Sequence, residues 1–208
     1  MKLAGEHVFN GPRAEVWKLV RDPEVLATAL PGAQSLSQVS ENEYEGTMNV
    51  RIGPVAGVFA GRVVVSDEVS PESYTLTVEG KGNPGWAKGS GQVRLVEQGD
   101  GTTLMKYEGE VQIGGRIASV GQRLIDSVSK SLIRQGLETL NQALQARIAA
   151  RYQGQEVNYS PPSEAEFAVA VAKDMATQAL TSSPWLWVVL AALVVIVVVA
   201  VILITRGG

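Results

Sequence analysis

Residues 105–132 read MKYEGEVQIGGRIASVGQRLIDSVSKSL, and the change of hydrophobic period inside this stretch decides the fold. Before Gly114, apolar and polar residues alternate, as in a β-strand that buries one face. After Gly115, apolar residues recur every three or four positions, as on the buried stripe of a helix. The helical pattern continues to about Arg151. A one-sided sheet and a long amphipathic helix bury their apolar surfaces against each other, so this pattern predicts an α+β fold.

The strand pattern extends upstream of this stretch as far as Gln34. Turn residues such as Gly53-Pro54 and Gly99-Asp100-Gly101 interrupt the alternation at intervals. The region therefore predicts an antiparallel meander of about six strands. Residues 2–9 form a further candidate strand, which brings the predicted sheet to about seven strands.

The N-terminal strand and the meander are separated by two short helical patterns. In the strand itself, either His7 or Val8 continues the inward alternation, and the sequence leaves both possibilities open. Residues 12–20 and 23–30 have apolar residues at helical spacing. Asp22 precedes the second pattern and is a typical N-cap residue.

The C-terminal end of the chain is far more apolar than the rest. Residues 185–204 read WLWVVLAALVVIVVVAVILI, and a helix of this length spans the ~30 Å hydrocarbon core of a bilayer. We therefore predict a folded domain over residues 1–152 and a transmembrane helix over residues 184–205. Between them, residues 153–183 form a linker, which contains either a weakly amphipathic helix or a disordered connector.

Composition excludes several classes of function. The net charge of −3 gives no reason to expect a nucleic-acid partner. The chain has no cysteine and a single histidine, so disulfides, thiolate zinc sites and a cysteine nucleophile are excluded. No carboxylate cluster suggests a metal site. The N-terminus lacks the apolar stretch of a signal peptide, so we expect a single-pass protein of the cell membrane with its folded domain in the cytoplasm.

Two features resemble functional motifs but have simpler explanations. Residues 80–85 read GKGNPG and match G-x-G-x-x-G, but they lie between two predicted strands, and no helix follows them. These glycines are better suited to a sharp hairpin or to the close approach of a ligand to the backbone. His7 lies on the first strand, where a structural hydrogen bond is a more common role than general base.

The order of the predicted elements resembles the START-like helix-grip fold, in which a sheet wraps a long helix and leaves an apolar cavity between them. In detail the chain is similar to the G-subunit family of carbon monoxide dehydrogenase over residues 1 to about 150. The similar stretches are Asp22-Pro23-Glu24-Val25-Leu26, Leu30-Pro31-Gly32, Gly53-Pro54-Val55 with Phe59 and Gly61, Gly85-Trp86-Ala87-Lys88-Gly89, Gly99-Asp100-Gly101-Thr102, and Gly114-Gly115-Arg116-Ile117 through Gly121-Gln122-Arg123-Leu124-Ile125-Asp126.

This resemblance implies an accessory protein rather than an enzyme. Members of the family are thought to bring a molybdenum hydroxylase of the CO dehydrogenase type to the membrane. The cavity suggests that they carry a lipophilic molecule such as menaquinone or ubiquinone, with no covalently bound cofactor. The expected partners of this chain are therefore the membrane, such a dehydrogenase and a lipophilic small molecule.

The helix-grip fold also implies where the ligand lies. Tyr107 is the candidate that would orient a polar head group, and Trp86 is the candidate for the mouth of the cavity. The family often carries two aromatic residues where Gly136 and Leu137 stand here, and a smaller residue at this point would enlarge the cavity. The full set of candidate ligand-binding residues is Val50, Phe59, Val63, Leu76, Trp86, Met105, Tyr107, Leu124, Val128 and Leu132.

Two other functions remain open at this stage. A polyketide cyclase or aromatase shares the fold and needs polar groups inside the cavity, for which His7, Arg51, Arg62 and Tyr107 are the candidates. Alternatively, the core is filled by side chains, and the protein is a membrane anchor without a ligand.

Overall fold

The protein is a two-layer α+β structure, seen in a computed structural model that describes residues 1–30, 32–153 and 160–181. Seven antiparallel strands form one sheet in the order β1-β7-β6-β5-β4-β3-β2. The predicted antiparallel meander of about seven strands is confirmed. The first strand pairs with the last, so the first and second strands form the two edges of an open sheet. The strands are β1 Lys2–Phe9, β2 Ala33–Ser40, β3 Glu43–Ile52, β4 Val55–Val69, β5 Ser73–Gly82, β6 Gly85–Glu97 and β7 Thr103–Gly114.

Four α-helices accompany the sheet within the described residues. The two short N-terminal helices lie where the sequence predicts them. Residues 164–181, for which the sequence leaves a helix or a disordered connector open, are helical. The long helix begins later than predicted, because Gly121 has φ +93° and separates it from a 3-10 turn at Arg116–Val120. The helices are α1 Arg13–Leu19, α2 Pro23–Ala29, α3 Gln122–Gln153 and α4 Glu164–Thr181.

Asp22 performs two tasks at the start of α2. Its Oδ1 accepts hydrogen bonds from the backbone N–H groups of Glu24 at 3.0 Å and Val25 at 3.3 Å, which confirms the predicted N-cap. Its Oδ2 accepts a hydrogen bond from Arg147 Nη2 at 2.6 Å. Burial alone would raise the pKa of the Asp22 carboxyl, but the Arg147 hydrogen bond and the two backbone donors bring it below its ordinary value. Asp22 therefore joins α2 to α3.

The inward face of the sheet is fixed by strand register. On β1, His7 lies on the same face as buried Phe9, while Val8 points outward, which settles the choice that the sequence leaves open. The main core lies where this face meets α1, α2 and the C-terminal half of α3. Its principal members are Phe9, Val16, Leu19, Tyr44, Val65, Tyr74, Val93, Leu95, Met105, Leu140, Ala143 and Leu144.

A second set of buried apolar residues lies outside the main core. It belongs to the end of β3 and the 3-10 turn, to the first half of β4, and to the N-terminal half of α3. Its members are Ile52, Phe59, Ile117, Ile125 and Val128. The buried apolar residues of α3 therefore lie mainly toward its two ends.

Met1–Val171 forms one compact unit and Ala172–Gly208 a second. The predicted boundary at residue 152 stays a prediction. Among the helices that the structure describes, none combines the length and the apolar character needed to cross a bilayer. The predicted transmembrane segment, residues 184–205, lies outside the described residues.

Candidate functional site

Glycines occupy the middle of the inward face. Strand register places Gly46 opposite Gly61, Gly61 opposite Gly80, and Gly80 opposite Ala87, so a row of small residues crosses four neighbouring strands. All four share the face of the buried core residues of their strands. Glycine in a strand interior weakens the strand and often marks a close approach of another group to the backbone.

Two of these glycines face open space. A Cβ atom placed on Gly61 would meet only the backbone oxygens of Glu79 at 3.5 Å and Gly46 at 4.0 Å. A Cβ placed on Gly80 would meet only the backbone oxygen of Ala60, at 3.9 Å. Among the described residues, then, no side chain of α3 reaches within 4 Å of either position. We call Gly61 and Gly80 the glycine floor.

The space above the glycine floor is accessible to solvent. Val78 is two residues from Gly80 on the same face, and 41% of its surface is exposed. Tyr74 is on the same strand and the same face, but it is only 5% exposed, because it lies in the main core. Val63, directly opposite Val78, is also only partly buried. An inward-facing valine on the central strand that is this exposed shows that α3 does not cover the middle of the sheet here, and we call this uncovered space the hollow.

The predicted site residues are distributed around this hollow. Three of them, Val63, Leu76 and Tyr107, are partly buried and border the main core. Phe59 and Val128 are buried in the second apolar set, and Met105 is buried in the main core. The remaining inward or helical candidates are partly buried: Val50, Leu124 and Leu132.

Trp86 lies on the opposite face of the sheet from these nine residues. It is directly opposite Lys81 and Gly114 in the register, and all three point outward. A Cβ on Gly114 would collide with the indole, so the ring lies flat against that glycine. Trp86 is 40% exposed and lines an outer groove of about 810 Å³. The other lining residues include Ala60, Arg62, Glu79, Lys81 and Lys88, together with Gly46, Gly61 and Gly80, so the glycine floor also borders this groove from the outer face. The structure thus does not place Trp86 at the mouth of the inner hollow.

The polar candidates also separate between the two faces. Arg62 points outward, and its Nε lies 2.5 Å from Oε1 of Glu43. Arg51 lies on β3, where strand alternation also directs it outward, and it is exposed. His7 and Tyr107 are the two candidates that face the helix.

Tyr107 extends from β7 across β1. A Cβ on Gly5 would collide with the Tyr107 hydroxyl, so the phenol ring occupies the space that glycine leaves free. Burial raises the pKa of Tyr107 above its ordinary value of 10.0, and the positive charges of Arg134 and Lys130 act in the opposite direction. The hydroxyl is therefore neutral and near basic residues of α3.

His7 lies beside this ring on β1. Its ring makes an edge contact with Phe9 at 4.9 Å between centroids, and its Nε2 atom is buried without a hydrogen-bond partner. Burial lowers the pKa of His7 below its ordinary value of 6.5, although the Glu138 carboxylate acts in the opposite direction. At neutral pH the imidazole is thus uncharged, with one ring nitrogen unsatisfied.

Sequence reasoning named Gly80 within GKGNPG, as a glycine suited to a hairpin or to a ligand's approach, but it missed the inward row that Gly80 forms with Gly61, and it missed Val78. The available signal was the repetition of glycine at inward positions of the strand alternation, where an apolar side chain is usual. Gly136 has a different role from the expected one: a Cβ there would lie 3.2 Å from the carbonyl oxygen of Ala29. It faces α2 and allows a close approach of the two helices, so it does not enlarge the hollow.

The described residues contain no group of three or more histidine or acidic side chains that could hold a metal ion. The chemistry that this site offers is an apolar, partly open hollow with two neutral hydrogen-bonding groups near one side. Such a combination is typical of sites that bind an apolar molecule with a small polar end.

Comparisons with known proteins agree with this fold. A conserved protein from Geobacillus kaustophilus is 28% identical, covers 70% of this chain and 95% of its own, and superposes with a TM-score of 0.67. The Zhui aromatase/cyclase from a Streptomyces species is 11% identical and superposes with a TM-score of 0.55, covering 73% of this chain and 97% of its own. A START superfamily protein from Mycobacterium smegmatis gives 14% identity, 66% and 94% coverage, and a TM-score of 0.48. No curated protein matches the sequence.

The fold is a helix-grip arrangement, in which an antiparallel sheet packs against one long helix. The model of the CoxG family, the G-subunit family of carbon monoxide dehydrogenase, matches residues 5–145. The chain therefore belongs to the CoxG family, as its motifs predict.

Proposed function

We propose that this protein is a carrier that holds a lipophilic molecule, a quinone or a lipid, between its sheet and α3. The observation that carries the proposal is the glycine floor, which leaves bare backbone beneath an accessible, apolar space. A filled core would bury Val78 and place side chains over Gly61 and Gly80. An apolar chain bound there gains about 25 cal/mol for each Å² removed from water.

We further propose that the protein is anchored in the cell membrane and recruits a molybdenum hydroxylase of the CO dehydrogenase type. Family membership and the apolar stretch 185–204 support this part. Arginine at both Val195 and Val198 costs roughly 5–7 kcal/mol on insertion scales and abolishes anchoring. The measurement is membrane fractionation of the native cell, and unchanged association of the double variant with membranes would refute the anchor.

The carrier function is tested on the full chain, purified from its native cell and extracted with organic solvent. Mass spectrometry of the extract is expected to find one quinone or lipid species retained in near-stoichiometric amount. An extract containing only the lipids of a mock purification, together with failure to bind added short-chain quinones, would refute the proposal.

The alternative of a cyclase or aromatase is favoured by one observation, the presence of His7 and Tyr107 on the inward face. The proposal assigns no reaction to the chain, because binding alone accounts for two neutral groups beside an apolar hollow. Conversion of an aromatic polyketide by the purified protein, lost in His7→Phe, would establish the enzyme instead.

A further inference from the structure

The outer face of the sheet, which points away from α3, carries a row of four alternating charges. Strand register places Glu45 opposite Arg62, Arg62 opposite Glu79, and Glu79 opposite Lys88, so the row crosses β3 to β6 in order. All four side chains are exposed. Lys88 Nζ lies 3.0 Å from Glu79 Oε1, whereas Glu45 forms no ion pair with any described residue. We call these four residues the charge row.

The charge row is complementary to a second copy of itself. When two such sheets face each other, a two-fold axis parallel to the strands and between β4 and β5 turns the row end for end. Glu45 of one copy then faces Lys88 of the other, and Arg62 of one copy faces Glu79 of the other. An axis across the strands would instead bring each charge against its own copy. The charges therefore favour one orientation of the pair.

The outer groove has a shape that fits the same axis. Trp86 lies on its β6 side and is 40% exposed. In the row next to the charge row, Thr47 and Trp86 stand at the two ends, with Ala60 and Lys81 between them. The two-fold axis exchanges these ends, so the indole of one copy faces the β2–β3 side of the other copy's groove. Small polar side chains line that side: Ser35, Ser37 and Thr47.

The contact also avoids unfavourable pairs. In the row that contains Trp86, Ala60 of one copy meets Lys81 of the other, so no like charges are brought together there. Tryptophan is among the residues that contribute most to binding at protein interfaces. Sheets that pack face to face keep their strands within about 30° of each other, as an axis parallel to the strands allows.

We propose that the outer face is the interface of a two-fold symmetric dimer of this chain, in which Glu45 pairs with Lys88 and Trp86 of each copy enters the groove of the other. The proposal is independent of what the hollow holds, because the hollow lies on the helix-facing side of the sheet. Glu45 and Lys88 are three strand spacings apart within one chain, about 14 Å. A coupling between them therefore reports a contact between copies.

The test is sedimentation velocity of the full chain in a neutral detergent with two charge reversals, Glu45→Lys and Lys88→Glu. By symmetry, each variant replaces two attractive contacts with two repulsive ones, so the Kd of self-association is expected to rise about 10- to 30-fold. An equimolar mixture of the two variants restores both attractive contacts and is expected to form a heterodimer with a Kd near that of the wild type. This association also shows that both variants are folded.

Lys106→Glu is the matched control, because Lys106 is exposed on the same face of β7 but lies outside the charge row. It should dimerise as the wild type does. Trp86→Ala tests the groove and should raise the Kd at least about 10-fold. A wild type that stays monomeric at hundreds of micromolar would overturn the proposal. So would a dimer that neither charge reversal weakens, or a mixture of the two variants that does not associate.

Discussion

Replacing Gly80 with leucine places an apolar side chain in the hollow without straining the backbone. Gly80 is not among the glycines with positive φ, and its new Cβ would be 3.9 Å from the nearest described atom outside its chain neighbours. The leucine would be about half buried, because neighbouring Val78 is 41% exposed. Burying half of a leucine side chain contributes about 1–1.5 kcal/mol to the free energy of unfolding. Replacing a glycine also reduces the conformational entropy of the unfolded chain, which adds about 0.5 kcal/mol.

The free energy of unfolding should therefore rise by about 1–2 kcal/mol, or about 3–6 °C in Tm for a domain of this size. Ligand binding should fall instead, because the leucine takes the place of the ligand's chain. If it displaces the chain from about 80 Å² of apolar contact, the loss is about 2 kcal/mol, or roughly 30-fold in Kd.

The assay pairs two measurements on the full chain: thermal unfolding without ligand, and titration with a benzoquinone that carries a decyl tail, here called the decyl quinone. Ala60→Leu is the matched control, since Ala60 neighbours Gly61 in sequence, points to the outer face and is exposed. The control should leave quinone affinity within about twofold, a difference of less than about 0.5 kcal/mol. A Gly80→Leu protein that is folded and binds the quinone as the wild type does would refute the position of the hollow.

Three further predictions concern other parts of the structure. Asp22→Ala should lower the free energy of unfolding by about 1–2 kcal/mol, because it removes the N-cap and the partly exposed ion pair with Arg147. Asp22→Asn keeps the cap and should cost about half as much. Chemical denaturation measures both changes. His7 has a lowered pKa when folded. Below about pH 6.5 the unfolded chain therefore binds more protons than the folded chain, and the free energy of unfolding declines as the pH falls from about 7 toward the lowered pKa. This decline should be absent in His7→Gln, and an identical pH profile for both proteins would contradict it. Gly114→Ala should lower the free energy of unfolding by about 1–3 kcal/mol, because the new methyl group pushes the Trp86 indole off the sheet. In a double-mutant cycle, Gly114→Ala should cost much less when Trp86→Ala is also present. Additive effects of the two substitutions would show that the residues do not interact.

The sequence predicts the architecture well because side-chain period and backbone geometry are directly linked. Alternation along β7 and the helical spacing after Gly115 place the sheet against the helix, and Asp22 marks the start of α2. The late start of α3 is less accessible to sequence reasoning, since only the φ of +93° at Gly121 separates the 3-10 turn from the helix. Apolar spacing alone reads as continuous through that point.

The candidate site is only partly predictable. Val63, Leu76 and Tyr107 follow the alternation, face α3 and pack against the main core. Trp86 is two residues from Lys88 on β6, so both side chains point to the outer face, although the aromatic character of Trp86 favours an inward role. The glycine floor depends on which glycines become cross-strand neighbours, and this is set by register over four strands. The composition of the chain and the spacing of its apolar residues do not predict where a space between the sheet and the helix stays unfilled.

The position of the bound molecule tests the central claim most directly. A crystal structure of the protein with the decyl quinone is expected to show the tail in van der Waals contact with the helix-facing side of Gly61 and Gly80, the side that carries Val63 and Val78. The ring should lie near Tyr107, the candidate that orients a polar head group. Density for the quinone in the outer groove beside Trp86, with the inner hollow closed over by side chains, would contradict the account.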